Sequence, residues 1–331
     1  MKSTLLGLVV TAAVSFGILS IQAQSAAASL IRYEAAYVFG DSLSDPGNAF
    51  ALSEQLTGIG VPGAPYFEGR VSDGPIWADY LAADFAAAGQ RFRNYAFASA
   101  RINGPWDEPI HLDAQLLRFA VHAATERVPQ RSAALVWIGA NDSFRIVSSA
   151  ASQILGGTPK NVALAEAELA AQALANRLLT RLRFLAPAGI RDLVLFNLPD
   201  LGRTPNYSGT EAAPLASLVS SAFNARLAMG TVPGVNVRNF DVAGLFDALI
   251  DDPEAFGVSS LEPCFVPGVP MLCADPQERA FFDPIHPSAV IHARLADEVR
   301  TVVAPIPLPA AAWFLLTALA GLGMLRLRAK A

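Results

Sequence analysis

Ala35-Ala36-Tyr37-Val38-Phe39-Gly40-Asp41-Ser42-Leu43-Ser44-Asp45 is the stretch that decides how this chain is read. An unbroken apolar run from Ala35 to Phe39, closed by a glycine, has the length and composition of a strand buried on both faces. Strands of that kind belong to parallel sheets, and in open parallel sheets the chemistry collects where the strands end. Ser42 stands at such an end, where the chain should turn into a helix and leave its hydroxyl exposed at the sheet's edge. Taken alone, Gly-Asp-Ser reads equally well as a turn or a helix cap.

Similar apolar runs follow at Leu135-Val136-Trp137-Ile138, Leu193-Val194-Leu195-Phe196 and Val235–Phe240. Between them, Asn161 to Ala186 is apolar at helical spacing, with Gly189 as the expected helix stop. Strands alternating with helices imply an α/β class with a parallel sheet covered on both faces. The segment from about 31 to 304 shows no internal repeat and no low-complexity linker, so it is read as one domain.

Composition narrows the function classes. Of 331 residues, 53% are hydrophobic and 16% charged, too little charge for a disordered or coiled-coil chain. The formal net charge of −5 argues against nucleic acid as a partner, because phosphate binding needs clustered Lys and Arg. No acidic residue occurs in 1–30 or 308–331, which hold Lys2, Arg326, Arg328 and Lys330. Without those four, the body carries 20 of the 24 basic residues against all 29 acidic ones, a net −9.

Both ends read as addresses. Residues 1–28 have the pattern of a signal peptide: Lys2, an apolar stretch from Leu5 to Ile21, and small residues at Ala26-Ala27-Ala28. An uncleaved anchor helix is the alternative. At the other end, Ile306-Pro307-Leu308-Pro309-Ala310 precedes an apolar run to Leu325 and a basic finish. The run is near the lower limit of about 17 residues for a bilayer span. Residues 305–331 resemble the PEP-CTERM class of bacterial sorting signals, with Ile306 where a VPLPA-like box has Val. That resemblance implies transient membrane association and an exosortase-type processing protease as partner. It places the body in the periplasm, envelope or extracellular matrix of a Gram-negative bacterium. A plain membrane tail is the alternative. Cys264 and Cys273, the only two cysteines, are most simply one disulfide in an exported chain. Their spacing does not suit a metal site.

Two further motifs stand at strand ends or near the end of the domain. Gly139-Ala140-Asn141-Asp142 follows the run at 135–138, and Asp283-Pro284-Ile285-His286-Pro287 comes last. A serine nucleophile needs a base within hydrogen-bond reach, and the base needs an acceptor that holds its tautomer. Of the four histidines, His286 has Asp283 three residues away to do this. Packing is the expectation for His111, His122 and His292.

In this order these blocks resemble the GDSL/SGNH hydrolase family, in its secreted bacterial lipase/esterase-like branch. The stretches Gly69–Trp77 and Leu198–Pro205 are similar to that branch too, and the resemblance covers about residues 35 to 300. It implies a three-layer α/β/α, flavodoxin-like fold around a mainly parallel five-stranded sheet. It also implies Ser42 as nucleophile, His286 as general base, Asp283 as orienting acid, and no cofactor. The oxyanion hole would comprise the Ser42 N–H, the Asn141 amide and a donor from the second block. There the family has a glycine about five residues after its asparagine. Here Asn94-Tyr95-Ala96-Phe97-Ala98-Ser99 puts Ser99 at that position, with Ala98 as the one-residue alternative.

The expected activity is hydrolysis of a carboxylic ester, of a lipid or an acylated polysaccharide, through an acyl-enzyme. The alternatives are acyl transfer from the same intermediate and a non-catalytic, envelope-anchored binding protein. No G-x-S-x-G elbow surrounds Ser42, and no phosphate loop, EF-hand or H-E-x-x-H motif occurs. Tyr66, Phe67, Trp77 and Trp106 are candidates for an acyl pocket, with core packing as the competing reading.

Overall fold

The computed structural model describes residues 32–303 except Trp106 and Pro270. The signal-peptide, sorting-tail and Trp106 readings therefore lie outside the described residues. Tyr33–Val302 form one compact unit.

Five strands build its centre: β1 Ala35–Gly40, β2 Arg91–Asn94, β3 Ser132–Trp137, β4 Asp192–Phe196 and β5 Asn236–Phe240. They lie in the order β2-β1-β3-β4-β5, and every neighbouring pair is parallel. Parallel neighbours need long crossovers, which the helices supply. α1 (Asn48–Thr57) and α2 (Trp77–Ala87) lead from β1 to β2, and α3 (Leu112–Thr125) leads to β3. α4 (Ala140–Leu155) and α5 (Lys160–Leu182) precede β4, and α6 (Ala213–Ala228) precedes β5. α7 (Val242–Asp251), a short parallel pair β6 (Ser260–Pro263) and β7 (Arg279–Phe281), and α8 (Ala289–Val303) follow among the described residues.

All six residues of β1 and of β3 are buried, as two-sided coverage requires. Alternate side chains serve opposite layers. Tyr37 and Phe39 of β1 enter one core with Phe119 of α3, Val147 of α4, Leu178 of α5 and Phe223 of α6. On the other face, Phe196 of β4 meets Trp137, Trp77 and Phe240, with ring centroids 5.6, 5.1 and 4.8 Å away. α2 and α8 lie on this side, joined by the Arg300–Asp84 ion pair at 2.7 Å. The result is the expected three-layer α/β/α fold.

Two local readings are corrected. The long helix does not run to Gly189; it ends at Leu182. Pro187 has no N–H to extend the ladder and disfavours helical geometry at Ala186, so the chain leaves through turns. Gly189 instead adopts φ 101 in the last of them. Trp77 lines no acyl pocket: it is fully buried, with its indole N–H donated to the Leu43 carbonyl at 2.9 Å.

The strand order reverses between β1 and β3. In a doubly wound sheet the crevice outside the carboxyl ends of those two strands is where ligands bind. Ser42 and Asn141 each follow one of them.

Candidate active site

Gly40 ends β1 so close to β3 that a Cβ there would lie 2.5 Å from the Trp137 carbonyl. Glycine is what lets the strand pair run to its last residue. Gln115 of α3 fixes the turn that follows: its Oε1 accepts the Gly40 N–H at 2.9 Å and its Nε2 donates to the Gly40 carbonyl at 2.8 Å. Two residues on, the Ser42 side chain faces the loop that follows β7.

That loop brings acid and base together. The Phe282 N–H donates to the His286 carbonyl at 2.9 Å, closing a tight turn around Asp283. The His286 Nε2 lies 2.8 Å from the Ser42 Oγ, across 244 residues of sequence. Its Nδ1 lies 2.9 and 2.8 Å from the two Asp283 oxygens. Asp283 Oδ1 also accepts the Ile285 and His286 backbone N–H groups, each at 2.8 Å. Tyr66 donates its hydroxyl to Asp283 Oδ2 at 2.9 Å.

Burial alone would push the Asp283 carboxyl up. The charge and hydrogen bond of His286, with the two backbone donors, outweigh it and hold the group below its ordinary 3.8. An ionised acceptor at Nδ1 requires N–H there, which leaves the Nε2 lone pair facing the serine hydroxyl.

Asp41, next to Ser42, shows the reverse balance. It is 1% exposed; Oδ1 accepts the Leu43 N–H at 3.2 Å, and Oδ2 has no hydrogen-bond partner. Desolvation dominates and pushes it from 3.8 up to about 7. The charge and direct hydrogen bond of His286 separate these two buried carboxyls.

The second block is stitched to the first. Asp45 accepts the N–H groups of Gly47 at 2.8 Å, Asn48 at 2.5 Å and Ala49 at 3.1 Å, capping α1. Its Oδ2 also accepts the Ala98 N–H at 2.7 Å. Ala98 is therefore already engaged, whereas the Ser99 and Ser42 N–H groups have no hydrogen-bond partner among the described residues. Ser99 adopts φ 65, the left-handed region that favours glycine. That explains why the family places glycine there and what the serine costs, about 1–2 kcal/mol of local strain.

The third block holds the same loop from the other side. Gly139, at φ 129, turns β3 into α4. Asn141 donates Nδ2 to the Ala100 carbonyl at 2.9 Å. Asp142 accepts the Ile102 N–H at 2.7 Å and the Asn103 N–H at 3.1 Å. An amide nitrogen has two hydrogens, so Asn141 keeps one donor beyond its bond to Ala100.

The other histidines are structural in position. His111 is buried, accepts the Arg101 N–H at 3.1 Å and lies 2.6 Å from a Glu108 oxygen. His122 lies 2.6 Å from the Tyr95 hydroxyl. Burial drives His292 down to about 3, with the His286 charge adding to it, so it stays neutral. Among the described residues, no three His, Cys, Asp or Glu side chains gather as a metal centre would need. Nor is any described helix long and apolar enough to cross a membrane. Cys264 and Cys273 are joined as a disulfide.

Of the residues singled out in the sequence, Ser42, Asp283 and His286 form one hydrogen-bonded row, and Asn141 and Ser99 lie on adjoining segments. Tyr66, read there only as a pocket candidate, holds Asp283, and Gln115 and the environment of Asp41 were missed. The only available signal for Tyr66 was an aromatic with a polar tip in an otherwise apolar loop.

Fold and geometry define a class: a doubly wound α/β protein with serine, imidazole and carboxylate in one hydrogen-bonded row at the switch point of its sheet. The chain belongs to the GDSL-like Lipase/Acylhydrolase family, whose model matches residues 37–299. It is 25% identical to a phosphatidylcholine-sterol acyltransferase of Aeromonas hydrophila, over 80% of this chain and 89% of that protein. It is 31% identical to Esterase EstA of Pseudomonas aeruginosa, over 32% of this chain and 19% of the esterase. A crystal structure of a lipolytic G-D-S-L family member from Veillonella parvula aligns with 82% of this chain and 99% of its own. Its identity is 13% and its TM-score 0.42.

Proposed function

We propose that this protein is an exported serine hydrolase that cleaves carboxylic esters through an acyl-enzyme on Ser42. The Ser42–His286–Asp283 row carries the reading. As the Ser42 oxygen attacks the ester carbonyl, His286 Nε2 takes its proton, and Asp283 stabilises the imidazolium that forms. Charge develops on the carbonyl oxygen, and donors aimed at it lower the barrier more than any other single device. The unengaged N–H groups of Ser42 and Ser99, with the second Asn141 hydrogen, are the donors assigned to it. The bond between Ala98 and Asp45 favours Ser99 over Ala98. His286 then returns its proton to the leaving alcohol, and water repeats the sequence on the acyl-enzyme.

Acyl transfer to an alcohol or glycan is the second reading, supported by similarity to the acyltransferase along most of both chains. Lipid esters and acylated polysaccharides are the substrate classes. The terminal segments and the disulfide support export, with an exosortase-type protease acting on residues 305–331.

The test compares ester hydrolysis by wild type and Ser42→Ala, with and without an alcohol acceptor. Loss of about a thousandfold or more is expected in the variant. Equal turnover in the two would refute the mechanism. Ester formation on the acceptor at the expense of free acid establishes transfer. Labelling of Ser42 by a fluorophosphonate excludes a silent scaffold.

A further inference from the structure

Two loops beside the catalytic row are built almost wholly of apolar residues and stand out in solvent. Residues 58–67 read Gly-Ile-Gly-Val-Pro-Gly-Ala-Pro-Tyr-Phe, and 264–273 read Cys-Phe-Val-Pro-Gly-Val-Pro-Met-Leu-Cys, with no charged side chain in either. Ile59 is 69% exposed, Val61 58%, Val269 47%, Met271 74% and Leu272 48%. Scattered exposed apolar side chains need no explanation, but concentration in adjoining loops marks a contact surface.

Neither loop is slack. The Val61 N–H donates to Ser53 Oγ at 2.7 Å, and the Phe67 N–H to the Ser72 carbonyl at 2.9 Å. The second loop is closed by its disulfide and by Cys273 N–H to the Cys264 carbonyl at 2.8 Å. It is tied to the strand before Asp283 by Phe265 N–H to the Phe282 carbonyl at 2.7 Å. Their bases meet in one aromatic cluster: the Tyr66 ring lies 5.7 Å from Phe265 and 5.2 Å from Phe282. Tyr66 is also the residue whose hydroxyl holds Asp283. The apolar rim and the catalytic acid are thus joined through one side chain.

We propose that these loops dock the active site onto an uncharged or zwitterionic lipid surface, so that ester substrate is taken from aggregated lipid. The proposal rests on the esterase reading and names its substrate class. Absence of charge in both loops and the net −9 of the body disfavour an anionic surface. Rigid aliphatic tips beside the site suit insertion among acyl chains. A second copy of the chain would need this rim to be self-complementary and would cover the crevice it borders.

The test titrates full-length Ser42→Ala protein with phosphatidylcholine vesicles, alone and combined with Val269→Asp/Met271→Asp or Ile59→Asp/Val61→Asp. The half-binding lipid concentration is expected to rise about tenfold for each inserted side chain lost. Apolar segments at the chain ends are common to all these proteins, so each loop variant is compared with Ser42→Ala rather than with zero binding. With Ser42 restored, the ratio of vesicle-lipid to soluble-ester turnover falls in parallel. Unchanged half-binding in both loop variants overturns the proposal. So does an equal fall on soluble and vesicle substrates, or a concentration-dependent dimer that the aspartates abolish while vesicle binding persists. Vesicle binding by Ser42→Ala needs no turnover, so absence of hydrolysis in every protein refutes the esterase reading alone.

Discussion

Replacing Asp41 by Asn should make the protein's stability respond differently to pH. Asp41 is fully buried beside Ser42, and burial pushes its carboxyl from 3.8 up to about 7. Between those values the native chain holds a proton that the unfolded chain has released, so wild-type stability falls as pH rises through the window. The loss is complete above pH about 7. A shift of about three units corresponds to about 4 kcal/mol. Asn has no charge to desolvate, but its NH2 would take the place of Oδ2, which has no partner now, and an unmet donor costs about 1–3 kcal/mol. The variant should therefore be less stable than wild type near pH 4 and more stable near pH 8.5. The static cost of the amide is common to both conditions and drops out of the difference between them. Urea unfolding at the two pH values, for both proteins, measures that difference, expected at about 4 kcal/mol. A variant whose stability tracks wild type in parallel across the window would refute the claim that Asp41 is carried proton-bound at low pH and strained at high pH.

Tyr66→Phe keeps the ring contacts and removes one of the donors to Asp283. The carboxyl should protonate more easily, moving the acid limb of the kcat/KM profile to higher pH. The half-buried position limits the loss to about tenfold, read in kcat at unchanged KM. Asn141→Ala should lower kcat by about 10²–10³ through a lost oxyanion donor while fluorophosphonate labelling of Ser42 still proceeds. Cys264→Ser/Cys273→Ser opens a loop of nine-residue separation and should cost about 2–3 kcal/mol by loop-closure entropy, measured by urea unfolding.

The parts of this molecule legible in its sequence are those whose cause is local. β1 and β3 declare themselves because burial on both faces demands unbroken apolar runs, and their ends point to Ser42 and Asn141. β2 did not, because Arg91-Phe92-Arg93-Asn94 is a half-buried edge strand whose arginines face Glu126 rather than the core. Within the site, Asp283 and His286 are three residues apart and can be read as a pair. Tyr66 meets Asp283 across 217 residues and Gln115 meets Gly40 across 75, links that only the folded topology creates. Asp41 sits within a readable motif, yet its charge state depends on how completely the fold buries it, which no spacing reveals.

Ser42 and His286 lie far apart in the order in which the chain is made. Ser42 follows β1 and His286 follows β7, 244 residues later. A chain interrupted between residues 241 and 285 contains all five strands of the sheet and still lacks His286. By the proposed mechanism such a chain carries the nucleophile without its base, and the site is completed only when the loop after β7 has been made.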